Sequence, residues 1–426
     1  MKPEAIQAFL DASPTPFHAV QTTLKRLLEA GFVHLREGQD WSLDAGGRYV
    51  VTRNDSSLIA FCCPERAHEG LRLMGAHTDS PCLRLKPAPD TTRHGYHQWG
   101  VQVYGGALLR PWFDRGLALA GRVTWQDTAG RLRHTLIDTR QPVAVIPSLA
   151  IHLDREVNEK GAVNPQTQMP AITSLAGDSA LVTQSWLAGL VRDAEGETGQ
   201  VLDFELSLYD AQPSAVAGVH QEFLLSARLD NLLSCALGVE ALLASGLSKP
   251  SLLVFNDHEE VGSQSAEGAQ GPFLKQVLMR LAGDSDVALQ KMLSRSMLFS
   301  VDNAHAIHPN YADRHDDGHA PKMGGGPVIK INANQRYATN SVTAGFFRAL
   351  CAEASVPVQA FVVRSDMACG STIGPITASE LGVRTLDIGV PQLAMHSARE
   401  MAAWKDIHAM HDALKAFFAC AGVPES

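Results

Sequence analysis

Histidine and acidic residues follow four apolar segments of the sequence, each with the pattern of a buried β-strand. The residues that follow them are His77, Glu260, Asp302 and His396. In an open α/β sheet the carboxyl ends of the strands form the edge at which ligands bind, so these side chains are expected to converge. One such residue is more often part of a turn or cap, but four that together supply imidazoles and carboxylates predict a metal site.

Asp230 completes a set of two histidines and three carboxylates. It precedes the apolar helix that is predicted near 231–245. A pair of zinc ions needs one carboxylate that bridges both, with two further ligands for each ion, and Asp230 at a rigid helix start fits the bridging position. Asp230 could instead be a simple helix N-cap.

Two adjacent acids, Glu259 and Glu260, follow the strand predicted at 252–255. Neighbouring residues in a strand point to opposite sides, so the two are expected to divide their roles. We assign Glu260 as a metal ligand and Glu259 as the general base that accepts a proton from water. A solvated acidic turn is the alternative interpretation.

Apolar strands alternate with helices over most of the chain, which predicts an α/β fold with a mixed, largely parallel central sheet flanked by helices. Further strands are predicted at 48–62, 71–75, 298–301, 360–363 and 385–388, and helices at 3–31, 341–353, 371–382 and 400–420. The irregular segment 303–327 predicts a long functional loop.

A β-rich inserted domain is predicted at 88–222, where the pattern changes to short alternating runs. Asp127–Gly130 has the composition of a hairpin turn between two of them. The other domain would combine 1–87 with 223–426. A length of 426 residues also favours more than one domain.

The composition excludes some classes of partner. A formal charge of −9 argues against binding to nucleic acid, which requires a basic surface. No apolar run is long enough to span a bilayer, and the first residues lack the apolar core of a signal peptide. We therefore predict a cytoplasmic protein with no membrane partner, in which the seven scattered cysteines are reduced.

Eight longer motifs occur in order along the sequence: Gly75–Pro81, Ala227–Asn231, Asp257–Ser263, Asp302–Tyr311, Gly326–Lys330, Gln335–Tyr337, Gly370–Pro375 and Pro391–Ser397. Through them the chain resembles, over essentially its whole length, the aspartyl aminopeptidase family of dinuclear zinc metallopeptidases. The resemblance implies a zinc-exopeptidase type of fold and two zinc ions per subunit. Cobalt or manganese are possible substitutes, because they accept the same ligands.

The resemblance also implies a role for each residue of the metal centre. His77 and Asp302 would bind one zinc, Glu260 and His396 the other, and Asp230 would bridge them. Asp79, two residues after His77, would orient the His77 ring and raise its basicity. Glu259 would be the catalytic base.

Removal of acidic residues from peptide N-termini is the activity that the resemblance implies. A pocket for an acidic side chain needs a cation or hydrogen-bond donors, and Lys330 with Tyr337 matches that need. His305 and His308 are further candidates for the pocket. Lys330 could instead be an ordinary lysine at a strand edge, and Asp313–Gly326 matches no fixed family pattern, which leaves the side-chain preference open.

The inserted domain would build dimers that assemble into a tetrahedral homododecamer, again by resemblance. His152 matches a histidine that reaches the active site of a neighbouring subunit and contacts substrate. From the residues alone, His152 could instead be a third histidine of the metal site, but its place inside the inserted domain favours the substrate role. Without the resemblance, a solvated histidine would be the preferred interpretation.

Two other functions use the same residues. One is a co-catalytic zinc amidohydrolase or carboxypeptidase acting on acylated amino acids, which would need a cation for an α-carboxylate. The other is a catalytically silent assembly protein that keeps the ligands for structure. Glu259 argues against the second, because a structural metal needs no general base.

Overall fold

The computed structural model describes residues 2–66, 68–177 and 182–424. The helices in these ranges are α1 Pro3–Asp11, α2 Pro16–Glu29, α3 Pro165–Gln168, α4 Thr183–Glu195, α5 Leu229–Ala244, α6 Phe273–Leu281, α7 Asp286–Ser294, α8 Ser341–Glu353, α9 Ile373–Leu381 and α10 Trp404–Ala419. None of these described helices combines the length and the apolar character needed to cross a membrane.

The strands in the same ranges are β1 Val33–Leu35, β2 Arg48–Arg53, β3 Ser57–Cys62, β4 Arg72–His77, β5 Cys82–Arg93, β6 Tyr96–Tyr104, β7 Leu117–Asp127, β8 Leu132–Asp138, β9 Ala171–Leu175, β10 Gly199–Asp210, β11 Ala215–Ala217, β12 Phe223–Ser226, β13 Ser251–Asn256, β14 Met297–Val301, β15 Ala304–His305, β16 Val328–Ile331, β17 Gln359–Val362, β18 Arg384–Gly389, β19 Pro391–Leu393 and β20 Glu400–Ala403.

The chain folds as two compact units. The first unit contains the chain up to Asp79, Ser214–Met395 and the chain from Glu400 onwards. The second unit contains Ser80–Pro213 and the short return His396–Arg399. The boundary predicted at 88 falls inside β5, which is one continuous strand of the second unit and therefore cannot be divided between the two.

A nine-stranded sheet forms the centre of the first unit, in the order β1-β2-β3-β13-β4-β14-β18-β16-β17. Its four middle strands, β13, β4, β14 and β18, are all parallel. Strand β3 runs antiparallel to both of its neighbours, and β16 runs antiparallel to β18 but parallel to β17. The predicted mixed, largely parallel sheet is therefore confirmed.

Both faces of this sheet are covered by helices. Alternate residues of β4 face different cores: Met74 packs with α5 and α10, and Leu73 packs with α6 and α7. Burial on both faces explains the consecutive apolar residues of β13 and β14, Leu252–Phe255 and Met297–Phe299. Helices α6 and α7 were not predicted from the sequence, although α6 buries one face through Phe273, Val277 and Leu281.

Two of the predicted elements are each divided in the structure. The helix expected at 3–31 is two helices, because Pro16 starts α2 after a break. The strand expected at 48–62 is the pair β2 and β3, joined by a turn in which Asn54 and Asp55 have φ of 51° and 55°. Asparagine and aspartate tolerate this left-handed conformation better than most residues.

A second, five-stranded sheet in the first unit has the order β11-β12-β20-β19-β15. It carries Gln392 on β19 and Glu400 at the start of β20, both of which are almost fully buried. The sheet therefore brings the chain after 390 close to the start of α5, which follows β12 directly.

The second unit is built on a six-stranded antiparallel sheet, β8-β7-β10-β5-β6-β9. The hairpin predicted at Asp127–Gly130 is confirmed, since Gly130 N–H donates to the Asp127 carbonyl over 2.9 Å between β7 and β8. Helix α4 packs Leu187 and Val191 into the apolar core beneath the sheet.

Candidate metal centre

Three neighbouring parallel strands end at the same edge of the central sheet. Strand β4 lies between β13 and β14 and ends at His77. Strand β13 leads into the turn that carries Glu259 and Glu260, and β14 leads directly into Asp302. The parallel direction therefore brings residues from distant parts of the sequence to one place.

His77 is the centre of the cluster that results. Its Nε2 lies 3.4 Å from Asp230 Oδ1, 3.6 Å from Asp302 Oδ1 and 3.8 Å from Glu259 Oε2. Potential ligand atoms of His77, Asp230 and Glu260 all lie within 4.8 Å of one another. Four of the predicted metal ligands and the predicted base thus share one small region of the first unit.

Asp230 reaches the cluster from an irregular first turn of α5. Asp230 has φ −86° and ψ 104°, which are not helical values, and its peptide bond to Asn231 is cis. The carboxylate lies beside His77. The regular turns of α5 begin after Asn231, so Asp230 stands at the helix start, where it was predicted.

Asp79 connects the ends of two strands. Its Oδ1 accepts a hydrogen bond from Glu259 N–H over 3.1 Å, and its Oδ2 accepts one from Glu260 N–H over 3.0 Å. His77 Nδ1 lies 3.0 Å from the Asp79 main-chain oxygen and 3.3 Å from Oδ1. A proton on Nδ1 would leave the lone pair of His77 on Nε2, which faces the cluster.

The adjacent acids Glu259 and Glu260 lie in a 3₁₀ turn, Glu259–Val261, and not in a strand. The expectation that they alternate as strand residues do was therefore wrong. The turn is enclosed by His258 and Gly262, with φ of 62° and 98°. It begins only after β13 has ended at Asn256, so strand geometry no longer applies to it.

The crowding of acidic groups shifts several pKa values. Burial alone lowers the pKa of His77, but the carboxylates of Asp230, Asp302 and Asp79 outweigh it and raise that pKa well above its ordinary value. Burial raises the pKa of Glu259 to about 8; the charge of His77 opposes the shift and the charge of Asp302 adds to it. A cluster that binds protons this strongly in the absence of a cation is suited to hold one.

The donor set fits zinc. Imidazole nitrogen and carboxylate oxygen are the ligands that zinc takes in catalytic sites. Asp302 Oδ1 is buried and accepts no hydrogen bond from any part of the chain that the structure describes, although buried polar atoms normally have a partner. A cation held between this oxygen and His77 would satisfy it.

Lys330 contacts a predicted metal ligand. Its side chain is buried on β16, and Nζ donates to Asp302 Oδ2 over 3.1 Å. The ammonium also lies 5.5 Å from the ring centroid of Tyr337, which is buried too. The structure thus brings both predicted pocket residues to the edge of the cluster.

His305 lies on the wall of a separate pocket of about 300 Å³ in the first unit. The wall is formed by residues of three segments, with five basic side chains among them: His305, His308, Arg314, His315 and Arg364. The pocket includes part of the loop predicted at 303–327, which is irregular apart from a short 3₁₀ turn at Ala312–Arg314 and β15.

Two predicted site residues, His396 and His152, belong to the second unit. His396 has φ 67°, and its Nδ1 lies 3.2 Å from the Gly106 carbonyl oxygen. A hydrogen bond from Nδ1–H would again leave the lone pair on Nε2. His152 is exposed, in a turn between Leu149 and Leu153.

Four buried polar residues around the ligands were not identified from the sequence: Asn231, Asn303, Gln392 and Glu400. Glu400 accepts a hydrogen bond from Asp230 N–H over 3.1 Å. One signal for them was present in the sequence, since Asp230 and Asp302 are both followed by asparagine.

Comparison with known proteins identifies the family of the chain. The family model described as Aminopeptidase I zinc metalloprotease (M18) matches residues 9–418. A probable M18 family aminopeptidase 2 from Ectopseudomonas mendocina (strain ymp) is 56% identical over 431 residues, which cover 100% of both chains. The chain belongs to the M18 family of aminopeptidases.

Solved M18 structures have the same fold. A chain in the cryo-EM structure of the Ape4 and Nbr1 complex has a TM-score of 0.93 and 39% identity, and the match covers 97% of this chain and 84% of that one. The S. cerevisiae mApe1 dodecamer has a TM-score of 0.84 and 27% identity, with 97% and 95% of the two chains covered. The resemblance found in the sequence is thus confirmed at the level of an M18 zinc aminopeptidase.

Proposed function

We propose that this M18 enzyme removes N-terminal aspartate or glutamate from peptides with a co-catalytic pair of zinc ions. The observation that carries the proposal is the cluster around His77. It combines several candidate metal ligands with one further carboxylate, Glu259, which lies beside His77 and can exchange a proton with water.

The ligand set that we propose for two ions is the one expected from the sequence: His77, Asp230, Glu260, Asp302 and His396. Asp230 is the candidate bridge because it lies close to proposed ligands of both ions. Its Oδ1 is 3.4 Å from His77 Nε2, and it shares with His77 and Glu260 a set of potential ligand atoms that lie within 4.8 Å of one another. Bound zinc would polarise the scissile carbonyl and make water more acidic.

Glu259 is the candidate general base. Its Oε2 lies 3.8 Å from His77 Nε2, so the carboxylate faces the proposed metal position. Its backbone is fixed by Asp79, which leaves the carboxylate itself available to accept a proton from water and donate it to the leaving amine.

The preference for an acidic residue rests on Lys330. A buried ammonium at the edge of the cluster offers a charge-assisted contact to a substrate carboxylate, besides its contact with Asp302. Tyr337 lies beside it, and burial raises the pKa of Tyr337, so its hydroxyl remains a hydrogen-bond donor. The pocket that includes His305 has two arginines, Arg314 and Arg364, in the same unit.

We also propose that the chain assembles as a homododecamer built from dimers through the second unit. The S. cerevisiae mApe1 neighbour is a dodecamer. In the second unit, Leu149, Ile151 and Leu153 are 61%, 48% and 74% exposed on either side of His152. Such a row of exposed apolar side chains is typical of a protein interface, and in the proposed assembly it carries His152 to the neighbouring active site.

One experiment tests the activity and its alternatives together. Purified enzyme would be assayed on anilides of aspartate, glutamate, leucine and lysine and on N-acetylated amino acids, and its zinc content would be measured before and after chelation. Cleavage mainly of the acidic anilides by enzyme with two zinc ions is the expected result. Turnover of N-acetylated substrates alone would support the amidohydrolase instead, and zinc binding without any turnover would support a silent assembly protein.

A further inference from the structure

The same three-residue pattern occurs at two of the proposed ligands. Asp230 lies between Leu229 and Asn231, and Asp302 lies between Val301 and Asn303. In both cases an apolar residue precedes the aspartate and a buried asparagine follows it, with Asn231 0% and Asn303 1% exposed.

Each asparagine holds the main chain next to the other aspartate. Asn231 Nδ2 donates to the Val301 carbonyl over 2.8 Å, and Asn303 Nδ2 donates to the Leu229 carbonyl over 2.7 Å. The residues that accept these bonds immediately precede Asp302 and Asp230. The asparagine pair, Asn231 and Asn303, thus forms a reciprocal link between the two proposed ligands.

The orientation of both amides is fixed by chemistry. A carbonyl oxygen can only accept, so the atom that faces it must be the NH₂ group of the amide. An aspartate at either position would have no donor for the carbonyl, although it has nearly the same shape.

A chain of hydrogen bonds continues from this pair to Glu400. Asn303 Nδ2 donates to Gln392 Oε1 over 2.8 Å, Gln392 Nε2 donates to Glu400 Oε1 over 3.2 Å, and Asp230 N–H donates to Glu400 Oε2 over 3.1 Å. Gln392 and Glu400 are 1% and 2% exposed. Every donor in this series of hydrogen bonds points towards Glu400. The series ends there because a carboxylate can accept hydrogen bonds on both of its oxygens, whereas an amide has one oxygen and one NH₂ group.

We propose that Asn231, Asn303, Gln392 and Glu400 are positioning residues that fix the spacing of Asp230 and Asp302 for zinc. This inference rests on the proposed function, in which both aspartates bind metal. None of the four is proposed to touch substrate or the reacting atoms.

The physical reason is repulsion among the carboxylates. Asp230, Asp302, Glu259 and Glu260 surround one histidine, and without a cation they would move apart if their backbones could yield. Buried hydrogen bonds on both sides of the cluster keep the main chain of the two aspartates in place. Zinc then binds to ligands that are already ordered, and this raises its affinity.

The test exchanges the donor and acceptor between Gln392 and Glu400. In E400Q, an NH₂ group would face the Gln392 NH₂ group, and rotating either amide only moves the conflict to Asp230 or Asn303. In the double variant Q392E/E400Q the pattern is complementary again, with the negative charge moved to position 392. Zinc affinity would be measured by competition with a chromogenic chelator, beside the melting temperature of the metal-free protein.

We expect E400Q to weaken zinc binding about 10- to 100-fold, as outer contacts of metal ligands typically do. Q392E/E400Q should recover most of that loss. A merely structural role would lower the melting temperature of E400Q while leaving zinc affinity at the wild-type value, and that result would overturn the proposal. A double variant that binds zinc no better than E400Q would overturn it as well.

Two further variants keep the test decisive if E400Q does not fold. N231L removes the donor to Val301 with a side chain of similar size, and it should also weaken zinc binding. D406N is the matched control: Asp406 is fully buried and accepts from Gly324 N–H and Gly326 N–H over 2.6 and 2.7 Å, and neither glycine is a proposed ligand or belongs to the hydrogen-bond chain. It should lower stability without changing zinc affinity, and equal zinc affinities for N231L and D406N would contradict the proposal.

Failure of the proposed function would look different. If Asp230 and Asp302 do not bind metal, D230A and D302A would retain zinc, and the metal assignment itself would be wrong. If those two variants lose zinc while E400Q and N231L bind it as the wild type does, the metal assignment stands and only the positioning role is rejected.

Discussion

Glu259 illustrates how the environment assigns different roles to carboxylates that are close together. Asp79 accepts two backbone hydrogen bonds, and Asp302 accepts one from Lys330. Glu259 instead lies beside His77 with its pKa raised to about 8, chiefly by burial. A bound dication nearby would lower this pKa, because positive charge favours the carboxylate form. The residue would then be deprotonated near neutral pH, as a general base must be.

The first prediction concerns turnover. E259Q keeps the size of the side chain but cannot accept a proton, so kcat should fall about 10²- to 10⁴-fold. Zinc content, measured by atomic emission, should remain at the wild-type value. E353Q, an exposed substitution on α8, is the control and should change neither quantity. Full turnover by zinc-loaded E259Q would refute the assignment of Glu259.

The second prediction concerns stability against pH in the chelator-treated protein. Glu259 has a pKa of about 8 when folded, above its unfolded value of about 4.3, so protonation favours the folded state. Its contribution is fully present below the unfolded pKa and is lost as the pH rises through about 8. E259Q stays neutral at every pH.

The wild type should therefore lose stability with rising pH while E259Q does not. The melting temperature of E259Q minus that of the wild type should increase between about pH 5 and pH 9. Differential scanning calorimetry of both proteins in chelator would measure it. A difference that is constant with pH would mean that Glu259 titrates normally in the metal-free protein.

At the scale of elements, the end of β18 fixes the position of Asp302 through close backbone contact. A Cβ atom at Gly389 would lie 2.0 Å from the Asp302 carbonyl oxygen and 2.9 Å from Ala304 N. Gly389 ends β18, which pairs with β14 in parallel just before Asp302. Glycine is thus required there because two backbone segments of the chain approach closely, and not because of its backbone angles.

The third prediction follows from that contact. G389A should destabilise the protein by about 1–3 kcal/mol or more and reduce zinc affinity, because the clash displaces the backbone of Asp302. The control is G345A on α8, where a Cβ meets nothing within 4 Å. Alanine in a helix interior should stabilise by about 0.5–1 kcal/mol. Urea unfolding and chelator competition would measure both effects, and wild-type zinc affinity in G389A would contradict this interpretation.

At the scale of the whole molecule, the two units have different tasks in the proposed function. The first unit carries the cluster around His77. The second unit has an antiparallel sheet with its own apolar core, and it carries His152 in a turn among exposed apolar side chains. Activity would then depend on assembly as well as on the metal centre.

The fourth prediction tests that dependence. L149D/L153D places charges in the exposed apolar row, so the complex should dissociate to smaller species in mass photometry. Turnover should fall with it, while the zinc content of each chain is unchanged. V287D, at an apolar position of α7 that is 61% exposed in the first unit, is the control for adding surface charge. A dissociated but fully active variant would show that no neighbouring residue is needed.

The sequence by itself determined the fold class and the chemistry of the site. Continuous apolar strands alternating with helices require a sheet buried on both faces, and parallel strands bring their carboxyl ends together. The order of strands and polar residues along the chain was therefore enough to predict that His77, Glu260 and Asp302 are neighbours. The motifs around them identified the family.

Only the tertiary structure decided how the proposed ligands are held. Glu259 and Glu260 lie in a 3₁₀ turn fixed by Asp79, from 180 residues earlier in the chain, and Asp230 is held by Glu400, 170 residues later. The hydrogen bond from Lys330 to Asp302 also joins residues on different elements of the fold. Such hydrogen bonds depend on which strands become neighbours, and local hydrophobic patterns specify the type and burial of an element but not its partners.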